Sequence, residues 1–461
     1  HHGGNSRSVI YGTPIITNGG RVKLNIDYGS TPPSDTSKLW VPLAGKPDKV
    51  ECSPVLNYGS EYLSDYAAIG IGGEFSSSNG SWSSSFQYEN YLYWGYSGTK
   101  LKRLNIETNV VDEVTMDSVL GHSGSSSSAG HYSFCQNGNN VYCAINSTTI
   151  SGTGYSGVVV KSDLTTKTAE KICSLPYDSD IQTDVNYMAM QYLNNKLYLF
   201  GGTRISYASV SNKIKIVDLS TNSVSVANAV IPVSGKMFTV CAIGSKIYIM
   251  GGAEQNSPKN GVYVYDTIND TCVSVATYPV NAAGMTCIPY SRYIYCFGGS
   301  TSNFNNTTPN VQINTIYRFD TTTNQFTQLS IVLPQISIWV LFYKINSMKY
   351  KLCAPTNAGK SGSYQVTKTP YVDNFVIESP LANNHLLLQE DYGFDSLWSA
   401  LKSKDTDLKV KVINAYLGDS NNIAQLTNAY LYDTASSQWK SLSGESYVAD
   451  MQNALNILGV T

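Results

Sequence analysis

Three stretches of the chain carry nearly the same residues: Lys196-Leu-Tyr-Leu-Phe-Gly-Gly202, Lys246-Ile-Tyr-Ile-Met-Gly-Gly252 and Arg292-Tyr-Ile-Tyr-Cys-Phe-Gly-Gly299. Their glycine pairs begin at 201, 251 and 298, so they recur after 50 and then 47 residues. Repeats of this length are typical of solenoids and propellers. The apolar run before each glycine pair predicts a buried β-strand, and the glycines predict a tight turn or close backbone packing.

Each repeat predicts a four-stranded antiparallel meander. A β-rich stretch and a short turn such as Asn194-Asn195 precede the quoted strand, which indicates a hairpin. After the glycine pair come a loop rich in Ser, Asn and Thr, a third strand, a polar turn and a fourth strand. The Asp and Asn side chains of these turns can accept hydrogen bonds from the turn backbone. The turns begin at Asn105, Asp163, Asp218, Asp266 and Asp320.

Weaker copies on both sides bring the count to about six repeats, over roughly residues 83–379. One meander cannot bury both its faces, but six arranged radially can. The expected fold class is all-β, with a β-propeller over residues 51–380. A small N-terminal β segment (1–50) and a small α+β C-terminal domain (381–461) are expected beside it. The repeats favour six blades, and the sequence leaves open whether Cys52–Glu74 adds a closing strand or a seventh blade.

The apolar strand ending in Gly-Gly, followed by a turn such as Asp218-Leu-Ser-Thr-Asn222, resembles the kelch repeat. This resemblance covers about two-thirds of the chain and implies a kelch-type propeller. The family usually has a Trp shortly after the turn, where this chain has Val224, Cys272 and Phe326. Kelch propellers serve many binding roles and some enzymatic ones, so the resemblance implies the fold more strongly than the function.

The flanks carry a second, shorter resemblance. Asn414-Ala-Tyr-Leu-Gly-Asp-Ser-Asn421 and Asp35-Thr-Ser-Lys-Leu-Trp-Val-Pro-Leu43 resemble segments in tail proteins of phages of Gram-positive bacteria. This resemblance implies that residues 5–50 and 381–461 attach the propeller to other tail or particle proteins, in a homo-oligomer. It also implies a place in the virion after assembly in the host cytoplasm. Trp40 is expected to pack on the propeller or on a neighbouring chain, and apolar residues predict a helix over about Tyr447–Leu458.

Composition excludes several classes of function. Charged residues are only 14% of the 461, against about 25% in an average domain, and the net charge is −2. The chain therefore lacks the basic character of a nucleic-acid binder. No apolar run approaches the roughly 18 residues of a membrane span, so no membrane insertion is expected. The nine cysteines have no C-x-x-C spacing and lie largely in apolar runs, which favours free thiols.

A search for catalytic motifs finds no convincing constellation. A copper oxidase would need converging histidines, but His122 and His131 flank a glycine- and serine-rich stretch and are expected on a surface loop. Scattered acidic residues do not define the carboxylate pair that glycoside hydrolysis needs. We therefore predict no catalytic residue, no metal site and no cofactor.

A binding face is better supported. In a propeller, the loops that join strands two and three share one face with the loops between blades. These loops carry aromatic residues, which offer rigid apolar faces, and amides and charges, which form hydrogen bonds. The candidate receptor- or glycan-binding residues are Tyr155, Arg204, Tyr207, Glu254, Asn256, Lys259, Phe304, Asn306 and Lys360.

The leading hypothesis is a non-enzymatic receptor-binding or appendage protein whose propeller face contacts a bacterial cell-surface receptor, with a glycan as one candidate. Two alternatives remain. One is a carbohydrate-active enzyme, a glycosidase or a galactose-oxidase-like protein, that uses the same face. The other is a kelch scaffold that binds a protein partner.

Overall fold

The computed structural model divides into two units, a propeller and a smaller unit formed by the flanks. The helix predicted over about Tyr447–Leu458 lies outside the described residues. The structure describes residues 15–16, 22–23, 26–28, 30–36, 39–41, 60–70, 84–124, 132–176, 187–202, 210–290, 292–301, 311, 313–346, 349–355, 358–361, 364–367, 369–378, 430–433 and 437–441.

Strands from both flanks join in one sheet of the smaller unit. The first two strands, β1 (Ile15–Ile16) and β2 (Val22–Lys23), form a separate antiparallel pair. The mixed sheet has the order β3 (Ile26–Tyr28), β4 (Leu39–Val41), β33 (Tyr430–Asp433) and β34 (Gln438–Ser441). Trp40 meets Trp439 edge to face, with ring centroids 5.9 Å apart. The ring contact of Trp40 that the structure describes is thus with the other flank, whereas packing on the propeller or on a neighbouring chain stays a prediction.

The propeller has six blades, each a four-stranded antiparallel sheet. Strand 1 of each blade is innermost and strand 4 is outermost. Blade 1 comprises β6 (Ser85–Tyr88), β7 (Tyr91–Ser97), β8 (Lys100–Asn105) and β9 (Val111–Thr115), and is followed by a short helix, α1 (Met116–Leu120). Blade 2 comprises β10 (Tyr132–Asn137), β11 (Asn140–Ile150), β12 (Thr153–Asp163) and β13 (Thr168–Ser174). Blade 3 comprises β14 (Ala189–Leu193), β15 (Lys196–Phe200), β16 (Ser211–Asp218) and β17 (Ser223–Gly235).

The other three blades follow the same plan, with small hairpins inserted in blades 4 and 6. Blade 4 comprises β18 (Thr239–Ile243), β19 (Lys246–Met250), β22 (Gly261–Asp266) and β23 (Thr271–Thr277), with the hairpin β20 (Ala253–Glu254) and β21 (Ser257–Pro258). Blade 5 comprises β24 (Thr286–Tyr290), β25 (Tyr293–Phe297), β26 (Thr315–Asp320) and β27 (Gln325–Val332). Blade 6 comprises β28 (Leu341–Asn346), β29 (Lys349–Ala354), β32 (Tyr371–Glu378) and β5 (Ser60–Ala68), with the hairpin β30 (Ala358–Ser361) and β31 (Tyr364–Thr367).

The sixth blade resolves the question of blade number. Its outermost strand, β5, comes from the N-terminal side of the propeller, whereas its other three strands come from the C-terminal side. The segment around residues 52–74 therefore supplies a closing strand and not a seventh blade. The ring is also joined on its inside, where Gln87 of β6 donates to the Lys344 carbonyl of β28 at 3.1 Å and accepts from the Lys344 amide at 2.8 Å.

The glycine pairs dock blades 3, 4 and 5 on the blades that follow them. At Gly201, Gly251 and Gly298 the backbone has a positive φ, and an added Cβ would meet a carbonyl oxygen just before the next innermost strand. The following glycine donates its N–H to that same carbonyl: Gly252 donates to Ala282 at 3.0 Å and Gly299 to Ser337 at 2.8 Å. The repeat glycines thus let two backbones approach closely at the interface between blades.

The predicted polar turns are confirmed. Asp266 accepts from the amides of Ile268 and Asn269 at 2.9 and 3.1 Å, and the equivalent residues Asn105, Asp163, Asp218 and Asp320 also accept turn amides. In each of the five turns, the fifth residue has a positive φ. No helix among the residues given above is long and apolar enough to span a membrane.

Candidate functional site

The channel mouth is a cavity of about 180 Å³ at the end of the propeller where the innermost strands begin. We define the channel mouth by one residue from each blade: Ser84, Ser133, Tyr187, Phe238, Met285 and Trp339. It opens on the face that also carries the loops between strands 2 and 3. Strand 2 of a blade ends beside the start of strand 1 in the next blade, so the loops and the cavity lie at the same end of the propeller. The mouth thus lies on the face for which binding was predicted.

Hydroxyl groups near the mouth tie successive blades together. Ser133 of blade 2 donates to the Met188 carbonyl of blade 3 at 2.6 Å, and Thr286 of blade 5 donates to the Val340 carbonyl before blade 6 at 2.7 Å. Thr239 of blade 4 donates in the same way to Met285. These bonds satisfy carbonyls in the channel wall, which stabilises the wall without charged groups.

The lining combines hydroxyls, aromatic rings and thioethers. Among the described residues that line the cavity, none carries a carboxylate, an imidazole or a full positive charge. No group of three or more His, Cys, Asp or Glu side chains converges in the described part of the chain either. The mouth can therefore contribute hydrogen bonds and apolar contacts, which is chemistry suited to binding.

One ammonium group lies beside the mouth. The Lys236 Nζ stands 5.2 Å from the centroid of the Tyr187 ring, and only 4% of Lys236 is exposed. Burial lowers the pKa of Lys236 to about 8. At neutral pH the Lys236 amine is protonated in most molecules, so the cation–π contact with Tyr187 is present.

His122 differs from its predicted position on a surface loop, because it is completely buried. Its Nδ1 lies 3.0 Å from the Thr148 Oγ1 and 3.2 Å from the Ser123 carbonyl oxygen. Burial lowers the pKa of His122, so the ring is neutral at pH 7. The strand extension that covers it, at the end of β11, has no distinct signal in the sequence.

Three of the predicted site residues come together in blade 4. Glu254 and Asn256 are exposed on the β20–β21 hairpin, and the Lys259 Nζ lies 3.4 Å from a Glu254 carboxylate oxygen. Because both partners of this surface ion pair are substantially exposed, it contributes little stability and leaves them accessible to a ligand.

The other predicted site residues do not form a cluster that the structure describes. Tyr155 lies in β12, within a longer hairpin than the predicted loop, where it packs on the core and under the Lys171 ammonium at 4.9 Å. Lys360 lies in β30, but its side chain is outside the described residues. Four further predicted residues lie entirely outside the described residues: Arg204, Tyr207, Phe304 and Asn306.

Sequence reasoning missed the channel mouth. Its residues lie within two residues of the start of each innermost strand but not at one equivalent position of the repeat, so no single sequence pattern marks them. The apolar character of Phe238, Met285 and Trp339 also matches that of ordinary core residues.

Comparison with known proteins agrees with the fold. Residues 155–337 match the KLHDC2/KLHL20/DRC7 Kelch-repeats domain. One similar protein is Kelch-like protein 25 of Xenopus tropicalis, 30% identical over 26% of this chain and 20% of that protein. Another is the N-(sulfonatooxy)prop-2-enimidothioate sulfolyase of Thlaspi arvense, 27% identical over 30% of this chain and 41% of that protein. The chain thus spans less than half the length of either relative.

Proposed function

We propose that this propeller of kelch repeats is a non-enzymatic binding module whose partner docks on the channel-mouth face. The observation that carries the proposal is the mouth itself, a cavity to which every blade contributes and whose lining offers hydroxyls, rings and thioethers. Such groups recognise a ligand by shape and hydrogen bonds. The similarity to Kelch-like protein 25 supports a binding role of this kind.

The size of the cavity favours a macromolecular partner. At about 180 Å³ it is smaller than the roughly 300–1,000 Å³ of typical small-molecule pockets. It therefore suits one protruding group, such as a side chain or a single sugar ring. The rest of the partner would rest on the surrounding face, where the β20–β21 hairpin exposes Glu254 and Asn256.

The narrower hypothesis from the sequence specifies a bacterial cell-surface receptor, with a glycan as a candidate, bound by a phage tail appendage. In it, the two flanks attach a homo-oligomer to the virion. The relatives named above lend no support to the phage part, which rests on short motifs in the flanks and stays a prediction. A kelch scaffold that binds a protein partner uses the same face and is the broader form of the proposal.

The experiment combines a glycan array, a pull-down against candidate partners and mass spectrometry of the ligand after incubation. Binding without any change in the ligand supports the proposal, whereas released products overturn its non-enzymatic part. Tyr187→Ala should weaken binding at least about tenfold, because it removes an aromatic contact at the mouth. The control is Ile268→Ala, whose side chain is exposed on the turn after β22 at the opposite end of the blade, and which should bind as wild type does. Equal binding by both variants overturns the assigned face.

A second candidate function is a lyase, and the similarity to the Thlaspi arvense sulfolyase favours it. Its test is incubation with the sulfonatooxy imidothioate in that protein's name, with sulfate release followed by ion chromatography. Release above that of heat-denatured protein would favour the lyase over the binding module.

A further inference from the structure

Three sulfur atoms meet between blades 4 and 5. Cys287 of β24 and Cys296 of β25 are directly opposite each other in the strand register, and their Sγ atoms are 3.6 Å apart. The Met250 Sδ, from the end of β19 in the neighbouring blade, lies 4.0 Å from the Cys287 Sγ and 3.7 Å from the Cys296 Sγ. The three atoms thus form a nearly equilateral triangle.

The triangle has the dimensions of a three-coordinate metal site. A point equidistant from its three corners lies about 2.2 Å from each sulfur, close to the roughly 2.3 Å of a zinc–thiolate bond. Thiolates and thioethers together select soft ions such as Cu(I). A disulfide would use only two of the three sulfurs.

The surroundings exclude water but leave an entry path. Cys296 is completely buried and Met250 is 1% exposed, and both lie in an apolar cluster with Tyr278 and Phe319. Cys287 is only partly buried and lines the channel-mouth cavity. An ion could therefore reach the triangle from the channel, past Cys287.

We propose that Cys287, Cys296 and Met250 bind one soft monovalent metal ion of the Cu(I) class. On binding, the two thiols lose their protons to solvent, so that two thiolates and one neutral thioether coordinate the ion. No electron is transferred. The ion joins β24 and β25 of blade 5 to β19 of blade 4, and this assignment is independent of the proposed binding function.

The test uses the full chain, fully reduced and anaerobic, titrated with Cu(I) against a competing chelator. We expect one ion per chain that survives the competition, and X-ray absorption that shows three sulfur neighbours at about 2.2–2.3 Å. Met250→Leu is close in volume and keeps the core packed. It should lower the affinity at least about tenfold and leave two sulfur neighbours.

The other variants separate a specific site from general thiol binding. Cys287→Ser should abolish tight Cu(I) binding. Cys353→Ser, which removes a buried thiol in blade 6, should bind Cu(I) as the wild type does. Thermal melting of each variant checks that it is folded. Three results would each overturn the proposal: no tight ion in the wild type, uptake unchanged by Met250→Leu, or equal loss in Cys353→Ser. A Cys287–Cys296 disulfide in the isolated protein, with no uptake after reduction, would also overturn it.

Discussion

Gly251 and Gly244 share a left-handed backbone, with φ +60° in both, but differ in what surrounds them. A Cβ on Gly244 would meet nothing within 4 Å, since this glycine lies in an open hairpin turn. A Cβ on Gly251 would collide with the Ala282 carbonyl oxygen, which holds the next blade in place. Substitutions at these two positions therefore separate two losses of stability: the one caused by the left-handed backbone conformation and the one caused by the close approach between blades.

We predict that Gly244→Ala lowers the free energy of unfolding by about 1 kcal/mol, the cost of a left-handed alanine. Gly251→Ala should lower it by about 3 kcal/mol or more, because backbone atoms that cannot move aside are also displaced. Chemical denaturation of both variants measures the difference. Equal losses would contradict the docking role of the glycine pair.

The Asp270 carboxylate joins blade 3 to blade 4. It accepts hydrogen bonds from the Asn228 amide at 2.9 Å, the Ala229 amide at 3.3 Å and the Tyr265 hydroxyl at 3.0 Å. Burial alone would raise the pKa of Asp270, but these hydrogen bonds outweigh burial and lower the pKa below its ordinary value. The charged form is thus the one that the fold favours.

We predict that Asp270→Asn lowers the free energy of unfolding by about 1–2 kcal/mol at neutral pH. A lowered carboxyl pKa gives stability that is present above the unfolded pKa of about 4 and is lost as the pH falls through the folded value. The difference between wild type and variant should therefore shrink below about pH 4. Denaturant titrations across pH measure it. The control Glu170→Gln, in an exposed ion pair with Lys161, should change stability by less than about 0.5 kcal/mol.

At the scale of elements, β5 decides whether the ring is closed. Its residue Asp65 accepts from the Asn374 side chain at 2.8 Å, and its Tyr66 ring packs 5.7 Å from that of Tyr371. Just beyond the strand, the Ile69 amide donates to the Pro370 carbonyl at 2.9 Å. These contacts join residues about 300 positions apart, so the closing strand holds together the two ends of the propeller.

We predict that removing residues 1–59 leaves the thermal midpoint of the propeller within about 3 °C of the full chain, since every blade keeps its strands. Removing residues 1–70 should lower that midpoint by about 10 °C or more, because it exposes an edge strand and the core beside it. Differential scanning calorimetry compares the two truncations. Similar midpoints would contradict the closing role of β5.

At the scale of the whole molecule, the low charge content and the uncharged side chains that line the mouth both predict recognition that depends little on salt. Charged residues make up only 14% of the chain, and those in the described part that pair do so mainly at the surface. Recognition through hydroxyls, rings and thioethers does not depend on long-range electrostatic attraction. Ions in solution should thus have little effect on it.

We predict that the affinity for the partner changes less than about threefold between about 50 and 300 mM salt. Surface plasmon resonance at several salt concentrations measures it. A steep loss of affinity with salt would instead indicate that charged loop residues such as Lys259 carry the binding, and would contradict the assignment of the uncharged mouth.

Much of the fold follows from local pattern. The strands before Gly201 and Gly251 and the turn at Asp266 depend on residues within one repeat, so they could be predicted one repeat at a time. The candidate site could be predicted only in part, as a face. Tyr155 was expected in a loop because its neighbours are polar, yet β12 continues through it and it packs, partly buried, against the core.

The sequence by itself determined the repeat, the order of strands and turns and the low fraction of charged residues, because each depends on composition or on residues close together in the chain. Only the tertiary structure decided that β5 closes blade 6, that Trp40 meets Trp439, and that six strand starts enclose one cavity. It also brought Met250 to Cys287 and Cys296. The physical reason is that these arrangements depend on contacts between distant segments, which form only when the blades close into a ring.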